Sequence, residues 1–392
     1  MKTHVIRVAL LGEEITDRHG WIPLLNASSS IQLVAVWSQH QKEAETLYHL
    51  VGNADVQIYF DIPTQINESL PRSRCAAFSR PSLDTLISQD IASAYLLDLP
   101  SETHYDVTLK LLKARKHLFN ARIPTFCADK FYNLLDTYQK AQETEHNQTN
   151  PVWWISEIVR YETAFAKIKN IIPDIGTILG AQLTASLTET LESMDLSTAP
   201  LLSTCHPSEP LMNACVSYSA LLQDLLGDYE SLNFKFSTSA VNPKVVDEAM
   251  VGTAVFCSGA LCSVIINRSD QLGNFSLIVW GTNGNVSVKL LPGRPTFEVQ
   301  RNLHHYEHPT YHPFTGAPWA LKAWIDRILH NLKSDASILQ ALTDISVVNA
   351  MVESNGNTVK VRRIKTDSLH ACCTSAKKKT ESSKLSVDSV KS

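Results

Sequence analysis

Along the first 150 residues two hydrophobic periodicities alternate. Short, nearly continuous apolar runs occur at Val8–Gly12 (VALLG), Ile31–Ser38 (IQLVAVWS) and Ser93–Leu99 (SAYLLDL), each followed by polar turn residues. Runs of this length suit strands covered on both faces, as in a parallel sheet. Thr103–Arg115 instead spaces Val107, Leu109, Leu111 and Leu112 among Lys110, Lys113 and Arg115, the pattern of a helix with a basic solvated face. Lys116–Phe119 opens a further strand, and a short helix is expected near Leu83–Ser88. Asp61–Arg80 is polar and proline-interrupted and reads as an inserted surface loop. Gln142–Pro151 reads as a connection to the strand Val152–Ile155. Alternating strand and helix signals predict an α/β fold with a doubly wound parallel sheet over residues 1–150. Its ligand crevice should lie beyond the carboxyl ends of the strands, here Asp98–Pro100 and Asn120–Pro124.

The pattern changes after residue 150. Met250–Phe256, Ala260–Asn267, Asn274–Val279 and Asn285–Leu290 are strand-like runs with turns between them. Gly281-Thr282-Asn283-Gly284 signals a tight hairpin, because Asn-Gly accepts the positive φ such a turn requires. Consecutive hairpins predict a C-terminal α+β domain over 151–365 with a large, mainly antiparallel sheet, one face of which is free for a partner or a substrate. Ala317–Leu332 and Ala336–Val352 read as closing helices. Residues 366–392, rich in Ser and Lys, read as a disordered tail.

At 392 residues the chain exceeds one hydrophobic core, so two domains are expected. A net charge of −4 argues against general binding to nucleic acid or to anionic membranes. No apolar run is long enough to span a bilayer. The basic start MKTHVIRVALLGEE reads as a first strand rather than a signal peptide, which makes the cytoplasm the expected compartment and secretion the alternative. The eight cysteines contain no CxxC pair and read as reduced, mostly buried thiols. His304, His305, His308 and His312 gather with Glu307 around Pro309 and Pro313. The prolines break the helix that a metal-binding His spacing would need, so a loop near the domain cleft is expected and no metal site is assigned.

Leu99-Pro100-Ser101 with His104, followed by Ala114-Arg115-Lys116-His117, resembles the Gfo/Idh/MocA family of NAD(P)-dependent oxidoreductases, whose members read roughly LPNxxH…ALxAGKHVxCEKP here. Arg160-Tyr161 with Ala164-Phe165 and Lys167 is similar to the family's RFxPAFxxxK, and Ile172–Gln182 to the strand leading into its second domain. Gly12–Leu25, Ala35-Val36-Trp37 and Lys42-Glu43-Ala44-Glu45 more narrowly resemble the glucose-fructose oxidoreductase domain-containing subfamily. The resemblance implies an N-terminal Rossmann domain that binds NADP or NAD, a small sugar-like ligand and a homodimer. It implies cofactor contacts at Gly12, Ile15, Thr16, Ser38, Gln39, Leu99, Pro100, His104 and Arg122.

The residues at the family's chemical positions depart from its pattern. A Rossmann phosphate turn uses glycines so that the backbone can approach the pyrophosphate at a helix N-terminus. Only Gly12 is present, and Glu14 and Asp17 occupy the next two glycine positions. Like charges about 4 Å apart cost about 1 kcal/mol in water and several times that near a protein surface. The second strand ends Trp37-Ser38-Gln39-His40, without the acid that would grip the ribose of NAD, which leans toward NADP. The lysine of the family's EKP motif aligns with Arg122, which does not give up its proton; the subfamily also carries arginine there. The catalytic His position aligns with Ser217 and the Asp position with Asn213, neither of which titrates near neutral pH. His206 is the alternative base if the helix begins differently. The expected function is therefore an oxidoreductase-fold protein that binds NAD(P) with lost or altered acid/base residues. The alternatives are a working NADP-dependent oxidoreductase with a non-standard base, and a cofactor-free interaction scaffold.

Overall fold

The computed structural model describes residues 5–12, 20–63, 81–143, 150–187, 209–242, 245–268, 274–303, 307–332 and 335–362. Ile15 and Thr16 with Glu14 and Asp17, most of the expected loop after residue 63, His206, His304, His305 and the tail from 366 lie outside the described residues.

The N-terminal half forms β1 (Ile6–Gly12), β2 (Ile31–His40), β3 (Gln57–Ile62), β4 (Ala94–Asp98), β5 (His117–Asn120) and β6 (Trp153–Ile155). They join in one six-stranded sheet of order β3-β2-β1-β4-β5-β6, every neighbouring pair parallel. Helices α1 (Trp21–Ala27), α2 (Gln41–Val51), α3 (Leu83–Ser88), α4 (Ser101–Lys113) and α5 (Ala128–Gln142) connect the strands. The continuous apolar runs follow from burial on both faces. Ala9, Leu11, Tyr95 and Leu97 enter one core, while Val8, Leu10, Ala94 and Leu96 enter another on the opposite face. The strand order reverses between β1 and β4, the place where a doubly wound sheet opens a crevice.

The C-terminal sheet has nine strands. They are β7 (Ile178–Leu187), β8 (Tyr229–Asn242), β9 (Val245–Phe256), β10 (Leu261–Arg268), β11 (Asn274–Gly281), β12 (Gly284–Leu290), β13 (Thr296–Asn302), β14 (Thr310–Pro313) and β15 (Val359–Lys360). The order is β14-β13-β12-β11-β7-β10-β9-β8-β15, with β7 and β10 parallel and the remaining pairs antiparallel. Helices α6 (Thr163–Ile171), α7 (Glu209–Leu226) and α9 (Asp335–Ser354) cover one face. Helix α8 (Gly316–Leu329) instead returns to the first sheet, where Trp324 meets Phe119 edge-on at 5.5 Å.

Several boundaries differ from the sequence reading. The expected boundary at 150/151 falls before the last strand of the first sheet, and α8 also packs on that sheet. Asp61 and Ile62 belong to β3 rather than to a loop. Ile172–Gln182 divides into a 3₁₀ turn, Ile172–Ile175, and the start of β7. The tight turn places Thr282 and Asn283 between the paired Gly281 and Gly284. Gly284 has φ 153, and a Cβ there would lie 2.3 Å from the Asn302 carbonyl, so glycine is needed for close approach as well as for φ. Among the described cysteines, Cys215 and Cys262 are buried but Cys127 and Cys257 are exposed.

Candidate functional site

The carboxyl ends of the first sheet's strands gather most of the expected site residues. Gly12, the last residue of β1, pairs with Asp98, the last residue of β4. Leu99 and Pro100 follow, both buried. Pro100 starts α4, its carbonyl accepting from the Thr103 and His104 amides at 3.1 and 3.0 Å. Proline suits this position because its φ is preset and no amide N–H is lost to the helix. Ser38 and Gln39 lie near the end of β2. Ser38 is fully buried and its hydroxyl donates to Glu43 Oε2 at 2.7 Å. Glu43 sits in the first turn of α2, so the fold brings to this strand end the carboxylate that the strand's own residues lack.

His104 is buried in α4 beside the end of β5. Asn120 arranges its surroundings: its amide nitrogen donates to His104 Nε2 at 2.8 Å and to Thr108 Oγ1 at 2.9 Å, while Oδ1 accepts from Trp153 Nε1 at 2.8 Å. An amide NH₂ only donates, so the network assigns the acceptor role to Nε2 and the proton to Nδ1. Nδ1 has no partner among the described residues. Burial, helped by the positive charge of Arg122, lowers the His104 pKa to about 3. The imidazole is neutral throughout the physiological range.

Arg122, which the sequence reading aligns with the resembling family's lysine, turns back toward β4. Its Nε and Nη2 donate to Asp98 Oδ1 at 3.1 and 2.6 Å. The Asp98 side chain is 1% exposed and that of Arg122 14%. Burying either charge alone would cost several kcal/mol, so each requires the other.

The sequence reading missed the group beside it. Glu157 follows β6, just after the buried Ser156. Its Oε1 accepts from Ser217 Oγ at 2.6 Å. Ser217 lies on α7 one turn after Asn213, so both side chains occupy one helix face. Asn213 Nδ2 is buried without a partner among the described residues. Glu157 keeps some surface open, yet enough protein surrounds it to raise its carboxyl to about 7. Burial is the main cause; Ser217 opposes the rise, Asp344 adds to it, and Arg160 and Arg122 lower it. Beyond Glu157, Arg160 Nη1 and Nη2 each donate at 2.8 Å to Asp344 on α9. A cavity of about 10 Å³ between Glu157, Arg160 and Asp344 has room for about one water. The available signal was an isolated acid, Glu157, inside the otherwise uncharged and mostly apolar run Val152–Val159 at a strand's carboxyl end.

The structure thus brings together Gly12, Leu99, Pro100, His104 and Arg122, and it carries Ser217 and Asn213 from the second sheet's helix to the same edge. Elsewhere, Glu307 is held by Arg301, which also reaches Asp174 at 2.6 Å, and His312 lies in β14. Among the described residues no cluster of three metal-ligating side chains forms, and no helix is long and apolar enough to cross a membrane.

The Rossmann domain matches the Gfo/Idh/MocA family. Residues 6–121 match its model, described as an oxidoreductase family with an NAD-binding Rossmann fold. No curated protein matches the chain. Among solved structures, an oxidoreductase from Thermotoga maritima is similar at 19% identity, covering 93% of this chain and 99% of its own, with a TM-score of 0.67. The WlbA dehydrogenase from Bordetella pertussis, in complex with NADH and UDP-GlcNAcA, is similar at 16% identity over 92% of this chain and 100% of its own, TM-score 0.67. Levoglucosan dehydrogenase, in complex with NADH and L-sorbose, follows at 14% identity over 92% and 100%, TM-score 0.64. At these identities the likeness establishes a shared two-sheet fold.

Proposed function

We propose that the protein binds a nicotinamide dinucleotide in the crevice between β1 and β4, and that the lysine–histidine acid/base pair of the resembling family is replaced. The observation that carries this reading is the buried Arg122–Asp98 ion pair at 2.6 Å. Arg122 stands where the proton-transferring lysine would be and keeps its proton. By neutralising Asp98 it also leaves the crevice floor without net charge against a dinucleotide. Gly12 with Ile15 and Thr16 would hold the pyrophosphate, Ser38 and Gln39 the adenosine ribose, and Leu99, Pro100, His104 and Arg122 the nicotinamide side. When bound, the nicotinamide ring supplies the hydride donor or acceptor. Glu43 at the end of β2 supports NAD over NADP, because its charge opposes a 2′-phosphate. The subfamily assignment to glucose-fructose oxidoreductase domain-containing proteins rests on the motif around Gly12–Leu25 and Ala35–Glu45.

The L-sorbose of the levoglucosan dehydrogenase complex supports a neutral, hydroxylated second ligand, although the UDP-GlcNAcA of the WlbA complex is anionic. The uncovered face of the nine-stranded sheet supports a homodimer. On it, Val251 and Val255 of β9, Leu261 and Ile265 of β10 and Ile278 and Trp280 of β11 share one side by register, with Leu261 60% and Val251 52% exposed. Gln182, Ser263 and Thr253 lie among these apolar residues, with Ser231, Ser287 and Gln300 farther out on the same face, a mixed surface that suits a second copy of itself. Calorimetric titration of the purified chain with NADH and NADPH tests the reading. Micromolar or tighter binding of either is expected. A folded protein that takes up neither would sink the dinucleotide site and leave the cofactor-free scaffold.

A further inference from the structure

Three of the charged or titratable groups at the crevice are already committed. Asp98 is held by Arg122, Asp344 by both Nη atoms of Arg160, and His104 Nε2 by Asn120. Glu157 differs. Its Oε1 takes the Ser217 hydroxyl, while Oε2 receives no hydrogen bond from any described residue, and its side chain is only half-buried. Asn213, one turn before Ser217 on the same face of α7, carries a buried amide nitrogen with nothing to donate to among the described residues. A buried donor without an acceptor is destabilising, which a ligand oxygen would offset.

We propose that Glu157 is the proton-accepting group of this cleft: Oε2 takes the proton of a ligand hydroxyl, Ser217 orients the carboxylate through Oε1, and Asn213 donates to the same ligand oxygen. The inference rests on the dinucleotide-binding reading and names the group that stands in for the replaced pair. The step is a proton transfer alone. The ligand O–H bond breaks, an O–H bond forms on Glu157, and the negative charge moves from the carboxylate to the ligand oxygen beside the Asn213 N–H. The groups facing Glu157 are Arg122 beyond β5, Arg160 in the following turn, Asp344 on α9 and Ser217 on α7. The two arginines are matched by Asp98 and Asp344, so neither fixes Glu157 permanently as an anion. Its carboxyl titrates near neutrality, as a general base at physiological pH must. A hydroxyl donating to Oε2 favours the ionised carboxylate, so a neutral hydroxylated ligand binds the deprotonated form better.

The test is calorimetric titration of the full chain, saturated with NADH, with L-sorbose between pH 5.5 and 8.5. The affinity of the unmodified protein is expected to rise about tenfold through neutral pH, or about 1.4 kcal/mol. Glu157→Gln should stay flat at the low-pH value. Ser217→Ala should keep the rise but move its midpoint upward, because it removes a hydrogen bond that favours the carboxylate. Folding is checked by circular dichroism, and Glu157→Ala, which also removes the carboxyl and should give the same flat profile, replaces the glutamine variant if that fails to fold. The proposal is overturned if Glu157→Gln follows the unmodified protein at every pH, or if the NADH-loaded protein takes up no L-sorbose at millimolar concentration. Failure of NADH itself to bind is a separate outcome: it sinks the dinucleotide reading, and this inference falls with it.

Discussion

Individual ionisable residues give the fold a distinctive pH response. Glu157 has its carboxyl raised from the ordinary 4.5 to about 7, chiefly by burial. Between those values the folded state holds a proton that the unfolded chain releases. Its contribution is therefore complete below about pH 4.5 and is lost as pH rises through 7. His104 and His117, lowered by burial to about 3 and about 4, act oppositely: their contribution is complete above 6.5 and is lost on acidification. Comparing Glu157→Gln with the unmodified protein at each pH isolates the first effect. The variant should match the parent near pH 4.5 and be more stable at pH 8 by roughly 1–3 kcal/mol, allowing for its partial exposure; urea unfolding at the two pH values measures this. Glu43 makes a separate residue-scale prediction. Glu43→Gln should narrow the preference for NADH over NADPH by several-fold, read by fluorescence titration, and an unchanged ratio would remove Glu43 from cofactor choice.

At the scale of elements, the 3₁₀ turn after β6 (Ile158–Tyr161) is fixed to α9 by the Arg160–Asp344 pair. Their side chains are 9% and 1% exposed. Burial alone would lower the Arg160 pKa, but the Asp344 charge and hydrogen bonds hold it above its ordinary value. Asp344→Asn should leave Arg160 with Glu157 and with Asp224, the latter 3.6 Å from its Nε. Removing one partner of a buried pair typically costs about 3–5 kcal/mol. A fall in thermal midpoint is expected, and because this turn positions Glu157, the Glu157 titration should shift with it. A variant as stable as its parent would show that the pair contributes nothing net. Some of this layer could be read in advance. Strands at 94–98 and 117–120 were visible because burial on both faces leaves few polar residues. The extent of β3 was not, since Asp61 reads as loop chemistry until its carboxylate is seen to accept from the Leu83 amide at 2.9 Å and so anchor the start of α3.

At the scale of the molecule, the uncovered sheet face predicts the assembly. The chain should run as a dimer in light scattering at micromolar concentration. Leu261→Glu, which places a carboxylate beside Val255 among the exposed apolar residues of this face, should give a folded monomer; a variant that remains dimeric would locate the interface elsewhere. A hairpin count could foresee a mainly antiparallel sheet. It could not foresee the parallel pairing of β7 with β10, because the residues that join them span α7 and two further strands and carry no local mark of where the chain returns.

The sequence by itself determined the two-sheet organisation, most of the strands and helices, and the placement of Arg122, His104, Leu99 and Pro100 at one sheet edge. These depend on local periodicity and on turn chemistry at fixed spacing. Tertiary structure alone decided which of the charged residues are committed. Asp98 meets Arg122 across 24 positions, Glu157 meets Ser217 across 60 and Arg160 meets Asp344 across 184. The state of each group depends on burial and on a partner distant in the chain. For that reason a carboxylate that looks like an ordinary strand-end residue in the sequence becomes, once α7 packs against the turn after β6, a group at this crevice that titrates near neutral pH.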